Sequence, residues 1–221
     1  MEENDIPMDE FEWEEFLKKN DKMVDTYAAL MEKYMDDPNC DEIIAREMGW
    51  NHLLEDDGVD RPWLDEMNVA LEHGEEGEEW KSAAGIEENE ESCVPDIHKD
   101  PLYQIGFSFA VNFMKWCDDL PERATKDTDM REAMQNCAIP AAKIAGAVSM
   151  NNDDKDQLGL RLANYKRGLI AANKTLTALS TVHEKGLIEQ KQVITFIKQA
   201  TELRNALAVR VLEIRDMFNR L

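Results

Sequence analysis

Apolar residues in the C-terminal part of this chain recur at intervals of three and four, and period-2 alternation is absent over useful lengths. That spacing selects helices over strands. Leu158, Leu162, Tyr165, Leu169, Ala172, Leu176 and Leu179 follow close to a seven-residue repeat, which predicts a helix ending near Gly186. A following helix carries Val193, Ile197, Leu203, Leu207, Val211, Ile214 and Phe218, with Ile188 and Glu189 at its start. Upstream, Asp100-Pro101 reads as a capping residue followed by a first-turn proline. The helix it opens carries Leu102, Ile105, Phe109, Phe113 and Trp116 and stops before Pro121. Between these lies a helix from about Thr128 to Met150, with Met130, Met134, Cys137, Ile144 and Val148 on one side and a kink expected at Pro140. The polar turn Asn151–Asp154 is placed to cap the helix that follows. Helices with short loops and one apolar face each bury those faces best in an antiparallel up-down four-helix bundle.

The N-terminal part is helical but different in character. Leu17, Val24, Tyr27, Met31 and Tyr34 form a stripe over residues 9–35, ended by Asp36-Asp37-Pro38-Asn39. A short helix capped by Asp41 carries Ile43, Ile44 and Met48, leading into the Trp50–Leu54 cluster. Asp60-Arg61-Pro62-Trp63 looks like a further helix start and Gly74 like its stop. Residues 75–91 are rich in glutamate and poor in anything to bury, as expected of a solvated linker, with Trp80 as its exception. The organisation expected is an acidic helical region over 1–74, an acidic linker over 75–99 and a four-helix bundle over 100–221, an all-α protein.

Charge follows the same division. Residues 1–100 carry 8 Lys+Arg and 33 Asp+Glu, a net −25, whereas residues 101–221 carry 17 and 14, a net +3. The chain as a whole, at −22, should repel nucleic acid and anionic membrane, while its C-terminal body could still offer a local cationic face. No run of about 18 apolar residues reads as a membrane span. The acidic start Met1–Asp5 lacks the basic, then apolar, pattern of a secretory signal, which points to the cytoplasm. Cys40, Cys93, Cys117 and Cys137 form no CxxC pair and read as reduced thiols in or beside the core.

Catalytic and metal chemistry find little support. His52, His73, His98 and His183 lack the Glu-x-x-His spacing of a di-iron bundle, and no calcium-hand or phosphate loop is present. Ser149 and Ser180 have no nucleophile-elbow context. No enzyme, cofactor or metal is expected. The candidate binding groups are basic: Lys155 and Lys166 share one side of the third bundle helix, with Arg167 and Lys174 a quarter-turn or more round. On the fourth, Lys191, Lys198 and Arg220 share one side, and Arg204 and Arg215 the other. Trp13, Tyr27, Met31, Tyr34, Trp50 and Trp63 give the acidic half an aromatic and methionine stripe suited to packing on the protein itself or to docking a partner.

Three segments of the C-terminal body carry a family resemblance. Ala138-Ile139-Pro140-Ala141-Ala142-Lys143-Ile144-Ala145-Gly146 resembles the Ser-Ile-Pro-x-Asn-Ile-Ala-Glu-Gly segment of the bacterial four-helix-bundle family of 23S rRNA intervening-sequence proteins, to which the retroelement accessory variability protein is related. Residues 160–169 resemble the stretch around that family's Gly-Ser-Leu step, and His183–Ile188 its turn between helices three and four. Ala138 stands at the family's Ser. An ungapped alignment puts Ala142 at its Asn, and a one-residue insertion puts Lys143 there instead. The resemblance covers residues 101–221 and singles out Ile139, Pro140, Lys143 and Gly146 as a motif segment. It implies a non-enzymatic homo-oligomer, several family members being pentameric rings, and the retroelement member is a basic partner of reverse transcriptase and RNA. The expected function is therefore a scaffold that self-associates and binds a protein or RNA partner. The alternative is a regulatory module in which residues 1–99 mask the basic faces of the bundle as a nucleic-acid mimic.

Overall fold

The computed structural model describes residues 7–54, 97–150 and 154–220, and every regular element among them is helical. In chain order these are α1 (Glu10–Tyr34), α2 (Cys40–Glu47), a single 3-10 turn at Asn51–Leu53, another at Ile97–Lys99, α3 (Pro101–Asp118), α4 (Glu122–Thr125), α5 (Thr128–Asn136), α6 (Ile139–Val148), α7 (Lys155–Lys185) and α8 (Gln190–Arg220). None of these helices is long and apolar enough to cross a membrane. Two compact units divide the chain: residues 1–17 with 94–221, and residues 18–93. The glutamate-rich tract, Trp63, Trp80, His73 and Cys93 lie outside the described residues.

Within the larger unit, α7 and α8 pack along their length with antiparallel register. Tyr165 faces Arg210, whose guanidinium is 5.9 Å from its ring, and the Gly168 backbone lies against Leu207. Helix α3 runs antiparallel to α8: Phe113 stacks edge-on to Phe196 at 5.3 Å, and the Trp116 indole N–H donates to Gln192 at 2.7 Å. Helices α5 and α6 lie against α7, and α6 also meets α3. The core between them contains Phe109, Phe113, Met130, Ile144, Leu158, Leu162, Tyr165, Leu179, Leu203 and Leu207. Each such side chain contributes about 1.5–3 kcal/mol by leaving water.

Capping follows the sequence. Asp100 accepts from Tyr103 N at 2.9 Å ahead of Pro101, Asp127 accepts from the amides of Asp129 and Met130, and Asp154 accepts from Asp156 N at 3.0 Å. Gly186 ends α7 at φ 63°, a left-handed conformation that glycine adopts without steric cost.

Three local expectations differ. The helix expected over 128–150 is two helices, because Pro140 in the first turn of α6 has no N–H to donate back one turn and its ring crowds the carbonyl there, so the chain bends at Cys137–Ala138. A short helix, α4, follows Pro121 where none was expected. Asn39 rather than Asp41 precedes α2, and Asp37 Oδ1 accepts its N–H at 2.9 Å.

In the smaller unit, residues 18–34 of α1 carry Tyr27, whose ring lies 5.9 Å from that of Trp50, and Ile44 and Ala45 of α2 are buried.

Candidate functional site: a cationic face and its acidic cover

The start of α1 is set by a capping box. Asp9 Oδ1 accepts the amides of Phe11 and Glu12 at 2.8 and 2.9 Å, and Glu12 Oε2 accepts the Asp9 amide at 2.9 Å. The first turns are thereby locked as helix, which places Glu10 and Glu14, four residues apart, on one side.

That side meets α7 and α8. Arg215 Nη2 donates to both carboxylate oxygens of Glu10, at 3.2 and 3.1 Å, and Lys166 Nζ stands 3.6 Å from Glu10 Oε2. Arg167 Nε donates to Glu14 Oε2 at 2.9 Å. Glu10 is only 9% exposed, a burial a carboxylate tolerates only with cations beside it. Lys166 also lies over the Phe11 ring, 4.6 Å from its centroid.

The contact has a shape as well as a charge. A Cβ at Gly159 would stand 2.8 Å from Trp13 Cδ1 and closer still to the Met8 carbonyl oxygen, so only glycine leaves room for this approach. One turn earlier, Asp156 Oδ1 accepts the Met8 amide at 2.7 Å. Residues 8–14 thus rest in a notch on α7 with the Glu10 and Glu14 carboxylates clasped by α7 and α8.

Of the predicted basic residues, Lys166 and Arg167 come together here, joined by Arg215 of α8. Lys155 lies elsewhere on α7, with its ammonium over Phe218 at 5.2 Å. Lys174, Lys191 and Lys198 are exposed. Lys198 is 17 residues from Arg215, about 25 Å along α8, so the predicted set is spread rather than one patch.

The motif segment lies on α6. Pro140 is buried against the Gly168 backbone with Lys143 Cβ beside it, while Ile139 is exposed and Gly146 half-buried. With α3, α6 also forms an open apolar groove of about 520 Å³ whose lining includes Tyr103, Phe107, Met114 and Ala141 together with Lys115 and Asp118.

A third feature is buried. Arg161 is 7% exposed; among the described residues its Nε and Nη1 have no hydrogen-bond partner, and neither does the Oη of Tyr165, the ring flanked by the guanidinium groups of Arg161 and Arg210. No group of three or more His, Cys, Asp or Glu among the described residues is placed to hold a metal.

Sequence reasoning missed Asp9, Glu10, Glu14, Asp156 and Gly159. A glycine inside a strong helical pattern is a signal of close approach, and Asp9-x-x-Glu12 is a capping pattern, so both were there to be seen. The chain matches no protein-family model, no curated protein and no solved structure.

Proposed function

We propose that this chain is a non-enzymatic binding protein whose cationic face on α7 and α8 is kept covered by its own acidic N-terminal segment until a partner displaces it. The body is then an up-down four-helix bundle with α5 and α6 together forming one arm, akin to the intervening-sequence family. The observation that carries this reading is Glu10, buried between Lys166 and Arg215. A carboxylate pair anchored this way occupies the groups that a phosphate or a partner carboxylate would use. It is a narrower form of masking than one by all of residues 1–99, since it rests on residues 8–14.

Gly159→Leu tests the cover without altering charge, because its side chain takes the space of Met8 and Trp13. In hydrogen exchange read by mass spectrometry, residues 7–17 should be protected in the native chain and exchange freely in the variant, with α7 and α8 unchanged. The variant should also gain binding to anionic polymers that weakens steeply with salt. Equally fast exchange of residues 7–17 in both proteins would overturn the reading.

A second reading, self-association, is favoured by the groove between α3 and α6, where Phe107 is 49% and Met114 38% exposed. Lys115 and Asp118 in its lining are self-complementary, so a two-fold copy seated on it would pair each with the other.

A further inference from the structure

The covered face is not a plain cationic patch. Asp156 stands on it and accepts a backbone amide, from Met8. A phosphate backbone would meet that carboxylate unfavourably, whereas a polypeptide has an N–H to give it. The Gly159 notch receives a peptide carbonyl and an indole edge, the Met8 oxygen and Trp13. Lys166 and Arg215 clasp one carboxylate and Arg167 a second, four residues on, which is the spacing of neighbours on one side of a helix. Each group is matched to a helical peptide entering at its N-terminus.

We infer that the α7–α8 face recognises an acidic amphipathic helix of a partner protein, with carboxylates one turn apart and a tryptophan immediately before the second, the pattern that Glu10, Trp13 and Glu14 present in cis. This rests on the covered-face reading and narrows it from anions in general to a peptide. Being part of the same chain, the segment acts as an intramolecular competitor, so a partner helix gains access only by outcompeting it or when it is released. The cover is thus a stand-in for the partner, and the face a helix-recognition site under intramolecular control.

The probe is a fluorescein-labelled peptide of residues 7–20, followed by anisotropy against full-length proteins. In a full-length Glu10→Ala/Trp13→Ala/Glu14→Ala variant the cis segment is weakened and the face itself is intact. This variant should bind the peptide at least about tenfold more tightly than the native chain does. Adding Gly159→Leu to it should abolish that binding. A variant that keeps native far-UV circular dichroism and fails to bind overturns the inference, as does binding indifferent to Gly159→Leu. Should the triple variant lose helicity, Trp13→Ala alone replaces it in the same comparison. If a single-stranded RNA binds the Gly159→Leu protein while no variant binds peptide, the face serves a polyanion, and the peptide inference falls with the cover left standing. If Gly159→Leu leaves exchange of residues 7–17 unchanged, cover and inference fall together.

Discussion

Gly159 is the fifth residue of a 31-residue helix, and glycine inside a helix costs about 1 kcal/mol relative to alanine. The close approach of Met8 and Trp13, whose atoms would lie nearest a side chain there, accounts for that cost. Buried thiols illustrate the opposite case, in which a reactive group is silenced by its surroundings. Cys117 is pushed up to about 12, first by burial and then by Cys137 and Asp118, and Cys137 to about 11 by burial. Since the thiolate is the reactive form, alkylation of the folded chain by iodoacetamide near pH 8 should modify half-buried Cys40 well before Cys117 and Cys137. Peptide mass spectrometry resolves the order, and simultaneous modification would mean that α3 and the break between α5 and α6 open together. That these cysteines pack inside was readable from their scattered spacing. Which cysteines neighbour each other was not, because Cys117 and Cys137 meet only once the helices assemble.

At the scale of elements, the ends of the helices are tied as deliberately as their faces. Lys185, in the last turn of α7, pairs with Asp127, the cap of α5, at 2.7 Å and with Asp129. The Lys185 hydrogen bond, helped by the Met130 and Asp129 amides, holds Asp127 below its usual 3.8, and Asp127 and Asp129 hold Lys185 above its usual 10.5. The lowered carboxylate contributes stability above about pH 3.8 and loses it as pH falls through its lower folded value. The raised ammonium contributes fully below about pH 10.5 and loses it as pH climbs through its higher folded value. Lys185→Met should therefore lower thermal stability modestly in the neutral range, the pair being partly exposed, and leave it unchanged at both extremes, which flattens the pH dependence. A melting curve as steep in acid as the native one would remove the tie from consideration. Helix positions and most caps were legible because periodicity and capping are local. The break between α5 and α6 was legible only as a bend, since one proline can kink a helix or end it, and packing decides which.

For the whole molecule, the charge division between the two halves takes a specific form: two carboxylates of the acidic half lie on three cations of the other. Self-association belongs to this scale too. If the α3–α6 groove is an interface, light scattering on the full-length chain should give a defined oligomer, and Phe107→Glu should return it to monomer without loss of helicity. A native chain that remains monomeric at high concentration would leave the groove unused. The sequence alone determined that the chain is helical, where its apolar faces lie, and that its charge is divided, because each of these depends on neighbours within a turn or two or on simple counting. It could not determine that Glu10 would find Lys166 and Arg215, more than 150 residues away, or that Gly159 would make room for Met8. Any basic residue on a helix surface looks alike until a partner is brought to it. Only the tertiary structure chose among Lys155, Lys166, Arg167, Lys174, Lys191 and Lys198, because the approach of two chain segments depends on their shapes in space.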